Sequence, residues 1–161
     1  MIWHDLFVDR WVDARELKQA ALAAFGVPVH HIEVTEDVPR GEAAHHERHL
    51  LLRRMRQSRD FPLQLLVVIL DDRLARGALE PHRALAAVRA FAAALNASVT
   101  YGADDLSDSE WLRVRPTGEL SIVTLDTDDD VDVDSFFVVD ERPYRDQDST
   151  VHRAAAPASP S

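Results

Sequence analysis

Three histidines that lie close together in the chain have a type and spacing that can support metal chemistry. His45, His46 and His49 fall within one short segment, Glu42–His49. If the segment is helical, His45 and His49 share a face, and their imidazoles can hold one metal ion. The His-Glu-x-x-His motif of zinc proteases is absent, because His49 comes two residues after Glu47 instead of three. A solvated helix with surface histidines is the competing interpretation.

A pair of carboxylates, Asp71 and Asp72, comes directly after the most apolar run of the chain, residues 63–70. Together with Asp104 or Asp105 they offer the hard oxygen ligands that Mg²⁺ takes, which would suit a metal-dependent hydrolase or transferase. Acids at the end of a strand also cap turns, and that interpretation needs no metal. A phosphate-binding P-loop is excluded, because the single lysine of the chain does not follow a glycine-rich loop.

The acidic segment 126–134 has the composition of a calcium-binding loop but not its pattern. An EF-hand needs Gly at its sixth position and Glu at its twelfth, and counting from Asp126 these are Val131 and Phe137. The serines of the chain have no Gly-x-Ser-x-Gly motif around them. We therefore predict no catalytic residue and no cofactor. The alternative metal ligands are Asp71, Asp72, His45 and His49.

Charge is distributed unevenly along the chain, whose formal net charge is −10. Six arginines lie between Arg40 and Arg59, whereas residues 104–140 contain twelve acids against Arg113 and Arg115. Such acidity argues against nucleic acid as the main partner and suits the capture of a basic protein. The competing interpretation is that the two regions pair within one monomer and that the surplus of acid aids solubility.

The functional interpretation of this charge pattern is a docking surface formed by two acidic loops and the aromatic side chains near them. Trp111, Phe136 and Tyr144 supply the aromatic anchors of such a surface. The predicted partner-binding residues are Asp104, Asp105, Asp108, Glu110, Trp111, Asp128, Asp129, Asp130, Asp132 and Asp134.

The elements that would position these residues follow from apolar periodicity. Residues 2–8 alternate with apolar groups on both faces, which predicts an interior strand. Asp13 and Glu16 outline a capping box in front of a helix that ends at Gly26. A second strand is expected at 29–34.

The arginine-rich stretch 41–58 has apolar residues at helical spacing, which predicts a helix inserted between two strands. Its inner positions would be Ala43, Leu50, Leu51 and Met55. The following strand, 63–70, is the most apolar of the chain, which predicts burial on both faces.

The second half of the chain contains one more helix and several strands. Pro81 is well placed to begin a helix that runs to about Asn96. A short strand is predicted at 99–101, and a hairpin of 111–115 and 120–125 turns around Pro116, Thr117 and Gly118. The last apolar segment is 136–139.

This order of elements predicts an α+β fold whose core is a ferredoxin-like split β-α-β-β-α-β unit, with the inserted helix and a C-terminal β-hairpin extension. We expect the first and third strands of that core to lie centrally and the helices to cover one main face. Residues 1–143 form a single domain in this interpretation, and 144–161 form a disordered polar tail.

Composition and the lengths of the apolar runs indicate the cellular compartment. No apolar run approaches the roughly 20 residues of a membrane span, and Asp5 and Asp9 stand where a signal peptide carries positive charge. We therefore expect a cytoplasmic protein that does not bind membranes. The scarcity of lysine beside many arginines and alanines is typical of GC-rich bacterial genomes. The chain has no cysteine, which excludes disulfides and Cys-ligated zinc.

We therefore expect a non-catalytic bacterial binding protein, most concretely an acidic immunity protein or antitoxin-like inhibitor that covers a basic toxin enzyme. The enzymatic alternative is a metal-dependent hydrolase or transferase that uses strand-end carboxylates. A third alternative is a structural or regulatory subunit whose edge strand pairs with a second copy to form a homodimer.

Overall fold

Within residues 2–36, 48–56, 60–74, 81–103, 106–127 and 136–145, which a computed structural model of the protein describes, the chain contains eight strands and two α-helices. The strands are β1 (Ile2–Val8), β2 (Ile32–Thr35), β3 (Leu50–Arg56), β4 (Leu63–Ile69), β5 (Val99–Tyr101), β6 (Glu110–Val114), β7 (Leu120–Thr127) and β8 (Phe136–Pro143). The helices are α1 (Ala14–Phe25) and α2 (Pro81–Leu95). The predicted α+β class is confirmed.

The strands form one sheet in the order β2-β3-β4-β1-β5-β6-β7-β8. β2 and β3 run parallel, and every other neighbouring pair is antiparallel. β1 lies between β4 and β5, which confirms that it is an interior strand. The hairpin of β6 and β7, followed by β8, extends the sheet beyond β5. The chain after residue 109 therefore occupies one end of the sheet.

Helix α1 begins and ends where its caps specify. The Asp13 carboxylate accepts the backbone N–H of Glu16 at 2.8 Å, which satisfies one of the free donors of the first turn. Gly26 ends the helix with a φ of 67° and donates its N–H to the carbonyl of Leu22 at 2.9 Å. A residue with a side chain is strained at that angle, so the helix stops at a glycine.

Both helices pack on one face of the sheet. Arg10, just after β1, donates to the carboxylate of Glu16 in α1 and to the carbonyl of Leu95 in α2, which ties the start of one helix to the end of the other. The core between the helices and the sheet contains the buried side chains Leu6, Val8, Leu17, Leu50, Leu52, Leu63, Leu65, Val67, Leu85, Val88, Phe91, Val99, Leu112, Val114 and Ile122.

The predicted inserted helix is wrong over residues 50–56, because these residues form strand β3. Leu50, Leu51 and Leu52 are each at most 1% exposed. Three consecutive residues reach such burial in a strand covered on both faces, but not on a surface helix. Leu51 and Met55 misled the prediction because a spacing of four satisfies both helical and strand periodicity. Residues 41–47 and 57–58 of that prediction lie outside the described residues.

The second predicted strand is also corrected. Val29–His31 form a 3₁₀ turn, and the strand itself is Ile32–Thr35. His30 is therefore exposed on a turn and does not lie on an apolar strand face. β2 lies at an edge of the sheet and pairs with β3 alone.

β4 is buried more on one face than on the other. Leu63, Leu65, Val67 and Ile69 point to the helices and are at most 1% exposed, whereas the residues between them are half-buried. The predicted burial on both faces is therefore complete on the helix-covered face and partial on the other. The expectation that helices cover one main face holds for α1 and α2.

A second, smaller core lies on the opposite face of the sheet. It contains Phe7, Phe61, Val123 and Leu125, with Trp111, Phe136 and Val138 packed against it. Phe7 of β1 is its centre, since the ring centroids of Phe61, Trp111 and Phe136 lie 5.2, 5.3 and 5.1 Å from that of Phe7. Aromatic contacts at such distances add to the stabilisation from burial alone. We call these seven residues the aromatic cluster.

Neither helix resembles a membrane span. In the described part of the chain, no helix combines the length and the apolar character that a bilayer crossing requires. The predicted polar tail, 144–161, falls outside the described residues from 146 onward.

Candidate functional site

The acids of the chain are concentrated in the segment that contains the three strands at one end of the sheet. Residues 104–145, which contain β6, β7 and β8, have thirteen acids and four arginines, whereas residues 1–103 have thirteen acids and thirteen basic residues. The net charge of −10 therefore belongs almost entirely to this segment. We call the described residues 106–127 and 136–145 the acidic end.

The structure describes three of the ten predicted partner-binding residues. Asp108 is an exposed residue of the turn before β6. Glu110 begins β6, and its carboxylate accepts a hydrogen bond from Arg142 of β8 at 3.2 Å. Trp111 is half-buried in the aromatic cluster. The other seven, Asp104, Asp105, Asp128, Asp129, Asp130, Asp132 and Asp134, lie outside the described residues.

Three further carboxylates at the acidic end are exposed and were not among the predicted residues. Glu119 lies between β6 and β7, and the other two lie in strands. Asp126 lies near the end of β7, and Asp140 lies in β8. The sequence does not single these two strand acids out as exposed. Each directly follows an apolar residue, Leu125 or Val139, and neighbouring residues of a strand face opposite sides of the sheet. With Asp108 and Glu119 they give the acidic end four exposed acids in described positions besides Glu141.

The aromatic anchors divide between the two faces of the sheet. Phe136 belongs to the aromatic cluster together with Trp111, and their ring centroids are 6.1 Å apart. Tyr144 instead packs against the core under the helices, and its backbone N–H donates to the carbonyl of Leu120 at 3.4 Å. Trp111 and Phe136 can therefore act on one surface, and Tyr144 does not belong to it.

A charged network that the sequence analysis did not identify fixes β8 to the hairpin. Glu141 accepts hydrogen bonds from Arg113 at 2.9 Å, from Arg115 at 2.6 Å and from the Ser121 hydroxyl at 2.6 Å. The signal in the sequence was the pair Arg113 and Arg115, which are two residues apart and so share a strand face. Their partner was hidden, because Glu141 follows 20 residues after Ser121.

Glu141 is held ionised by this network. Its partial burial raises the pKa of the carboxyl, but the hydrogen bonds from Ser121 and Arg115 and the charges of Arg113 and Arg115 outweigh that effect and leave the pKa below its usual range. Its side chain is 30% exposed. Glu141 therefore acts within the fold as a hydrogen-bonded anion, although the residue as a whole is exposed.

The arginine-rich region does not neutralise the acidic end in the described structure. Arg48 pairs with Glu33 and Arg54 with Glu36, both next to β3. β3 and β6 are four strand spacings apart, roughly 19 Å at about 4.8 Å each. Charges that far apart are largely screened at physiological salt, where the screening length is about 8 Å. Asp60, which directly follows the arginine-rich stretch, nevertheless accepts the backbone N–H of Val138 in β8 at 2.8 Å, so the end of that stretch lies beside the acidic end. The predicted pairing between them within one monomer is not found among the described residues.

Two of the three arginines of β3, Arg54 and Arg56, have further local contacts. Arg54 donates to the carbonyl of Val12 at 3.2 Å, and its guanidinium carbon lies 5.0 Å from the Trp11 ring centroid. The guanidinium carbon of Arg56 lies 4.1 Å from the same centroid. Both contacts have cation–π geometry. These arginines therefore contribute to holding Trp11 against the sheet.

The alternative metal ligands do not converge. Asp71 accepts the backbone N–H groups of Arg73 and Leu74, each at 2.9 Å, so it caps a turn. Those bonds and the nearby charges of His49 and Arg73 hold the pKa of Asp71 below its usual range, against a smaller effect of burial. Asp72 is exposed. The turn interpretation of these two acids is therefore the one that the geometry supports.

The histidine pair is likewise not assembled as predicted. His49 stacks on His31, with ring centroids 4.2 Å apart and planes 4° from parallel, and His45 lies outside the described residues. Within the residues that the structure describes, no group of three or more His, Asp or Glu side chains is arranged to hold a metal ion.

The chain was also compared with known proteins. No family model matches it, and neither a curated protein nor a solved structure is significantly similar to it. Its function is therefore argued from its own residues.

Proposed function

We propose that this protein is a non-catalytic protein-binding module that docks on a basic partner through its acidic end. The most concrete form of this proposal is an acidic immunity protein or antitoxin-like inhibitor of a basic enzyme. The observation that carries it is the separation of charge along the chain. Residues 104–145, which contain the three strands at one end of the sheet, hold nearly all the net negative charge of the sequence, whereas Arg54 and Arg56 of β3 are engaged locally.

The acidic end has the features of a protein-docking surface in addition to charge. Asp108, Asp126 and Asp140 are exposed, so a cationic partner can reach them. Trp111 and Phe136 are half-buried in the same strands, and aromatic residues of this kind often dominate binding energy. In such an arrangement the acids speed the encounter and select a basic partner, while the aromatic residues supply affinity.

We also propose that the core belongs to the ferredoxin-like split β-α-β-β-α-β class, with β3 taking the place of the second strand. In support, β1, β3, β4 and β5 lie in the order β3-β4-β1-β5, and β1 is antiparallel to both of its neighbours. β2 is then an added edge strand. This fold class hosts many unrelated activities, so it does not by itself select a function.

The test compares two double variants of equal charge as baits in the lysate of the source organism. Asp126→Asn with Asp140→Asn removes two exposed acids of the acidic end, whereas Asp9→Asn with Asp72→Asn removes two exposed acids elsewhere. Captured proteins are eluted with salt, identified by mass spectrometry, and re-bound to the bait as purified components. We expect a basic partner at one-to-one stoichiometry whose affinity falls about fivefold for the first variant only.

Equal binding of that partner by both variants would contradict the docking surface. The triple variant Asp128→Asn, Asp129→Asn and Asp130→Asn extends the test to the segment between β7 and β8, where we also expect weaker capture. If the protein binds no basic partner and light scattering finds a dimer, the self-associating alternative replaces this proposal.

A further inference from the structure

The sheet ends at β8, whose outer side has no neighbouring strand among the described residues. β8 pairs with β7 alone, and residues 139–143 are all exposed, Val139 at 53%. An edge strand presents unpaired backbone N–H and C=O groups, with which another strand can pair. This strand belongs to the acidic end, so the state of its backbone groups decides how a partner can bind there. We call the backbone groups of residues 138–143 that face away from β7 the free edge.

The N–H of Val138 belongs to the free edge and is already engaged. Leu125, which lies opposite Val138, donates its own N–H to the carbonyl of Ser109, the residue before β6, at 2.9 Å. In an antiparallel pair, opposite residues either both face each other or both face away, so Val138 faces away from β7. Its N–H donates to the Asp60 carboxylate at 2.8 Å. A strand that approached β8 would find this donor occupied by a side chain.

The outward position at the other end of β8 has no donor. Tyr144 donates its N–H to the carbonyl of Leu120 at 3.4 Å, so it faces β7. Because this orientation alternates from residue to residue, Pro143 and Glu141 face away from β7. Proline has no N–H, and at an edge strand it costs no hydrogen bond when it faces outward. The backbone N–H of Glu141 therefore lies between two positions that offer no free donor.

A β-bulge makes the free edge irregular as well. The register of β8 with β7 shifts between Thr124 and Leu125, which leaves Val139 as the extra residue. A bulge bends its strand and increases the local twist. Bulges, prolines and charged side chains are the features by which natural sheets prevent pairing between edges. β8 combines all three, since Asp60 supplies a charge at the same edge.

We propose that Asp60, the bulge at Val139 and Pro143 close the free edge against strand addition, so that the partner of the acidic end is a folded basic protein bound through side chains. The identity of the partner in this inference rests on the proposed docking function. Strand addition draws its affinity from main-chain hydrogen bonds. Here Glu141 is the one outward position of three that keeps a free N–H. Neither an extended basic peptide nor β8 of a second copy fits such an edge.

The test opens the edge and measures the mass of the full chain in solution. Asp60→Ala with Pro143→Thr restores two outward donors. We expect the native chain to keep the monomer mass in light scattering at every concentration, and the double variant to approach twice that mass as its concentration rises. Asp9→Ala with Pro28→Thr, which removes an exposed acid and an exposed proline outside β8, is the matched control and should stay monomeric.

Amide hydrogen exchange adds a measurement that needs no variant. In the native chain the N–H of Glu141 should exchange at least about tenfold faster than those of Asp140 and Arg142, which face β7. In the double variant the protection of Glu141 should rise with concentration, because the new contact is at β8. If circular dichroism shows that the double variant is unfolded, the mass of the native chain and its exchange at Glu141 decide.

Three results would overturn the closed edge. They are a native chain that dimerises with its Glu141 amide protected, a folded double variant that keeps the monomer mass, and a control that dimerises as strongly as the double variant. None of these measurements involves the basic partner. Capture of no basic protein in the lysate experiment would instead overturn the proposed docking and leave the closed edge standing.

Discussion

Strands β1 to β5, with α1 and α2 packed against them, come from a part of the chain with equal numbers of acids and bases, whereas β6 to β8 come from a part with thirteen acids and four arginines. The first region buries its apolar residues under two helices. The second is held mainly by the aromatic cluster and by the Glu141 network. The difference indicates that the first region stabilises the fold, and that the second tolerates surplus charge because its own acids are exposed.

The substitution with the largest expected effect on the contact between the two regions is Phe7→Ala. Phe7 of β1 packs directly on Trp111 and Phe136 of the second region. Loss of a buried phenylalanine costs about 4 kcal/mol of unfolding free energy. We expect that loss in urea unfolding, together with a change in tryptophan fluorescence as Trp111 becomes more exposed. Leu22→Ala, on the exposed face of α1, is the control and should cost less than about 0.5 kcal/mol. A similar loss in both variants would contradict the assigned role of Phe7.

Leu65→Ala tests whether the two regions unfold together. Leu65 is fully buried under the helices, and its truncation should cost about 3 kcal/mol. If the sheet is one cooperative unit, far-UV circular dichroism and Trp111 fluorescence should report the same lowered midpoint. The fluorescence is read in a background in which Trp3 and Trp11 are phenylalanine. Two separate midpoints would instead show that the acidic end unfolds independently.

The variant Glu141→Gln tests the charged network of the second region through the pH dependence of its unfolding free energy. The pKa of Glu141 is lower in the folded chain than its ordinary value of 4.5, so the ionised group stabilises the fold above that pH, and the stabilisation is lost as pH falls through the folded pKa. At pH 7 the variant should be about 1 kcal/mol less stable. In acid the difference between the two proteins should disappear, and a difference that persists at low pH would contradict this account. Urea titrations at several pH values measure it.

The smallest expected effect is on the exposed acids themselves. Asp126→Asn with Asp140→Asn should change unfolding free energy by less than about 0.5 kcal/mol, and at low salt relief of charge repulsion should favour a small gain. Differential scanning calorimetry at two salt concentrations checks this. A large loss would mean that these acids serve the fold and would weaken the argument that they serve a partner.

The sequence predicted those elements whose limits are set by local chemistry. The capped helix between Asp13 and Gly26 has its stop signals in adjacent residues, and the hairpin turn is specified by Gly118, whose φ is 88°. Strand β3 was missed because its three consecutive leucines, Leu50 to Leu52, fit the apolar spacing of a helix as well as that of a strand. The parallel pairing of β2 with β3 depends on tertiary contacts that no local pattern encodes.

The sequence predicted the acidic character of the candidate site but not the positions of individual side chains. The excess of acid after residue 103 is visible in the sequence, and the structure places its described part at one end of the sheet. The position of Trp3 was not predictable, because a bulge moves it to the face opposite the one that alternation gives. Glu141 was also missed, since its partners come from a hairpin that precedes it in the chain.

The position of β1 in the sheet has a consequence for how the chain folds. β1 pairs with β4 through Leu6 and Leu65 and with β5 through Leu6 and Tyr101, so its two hydrogen-bonding edges are completed by residues about 60 and 95 positions later. Contacts with such sequence separation raise the contact order, which slows folding. During synthesis the apolar segment Ile2–Val8 has neither of its neighbouring strands to pair with until β4 has been made. It is therefore the segment of the nascent chain most dependent on protection against aggregation.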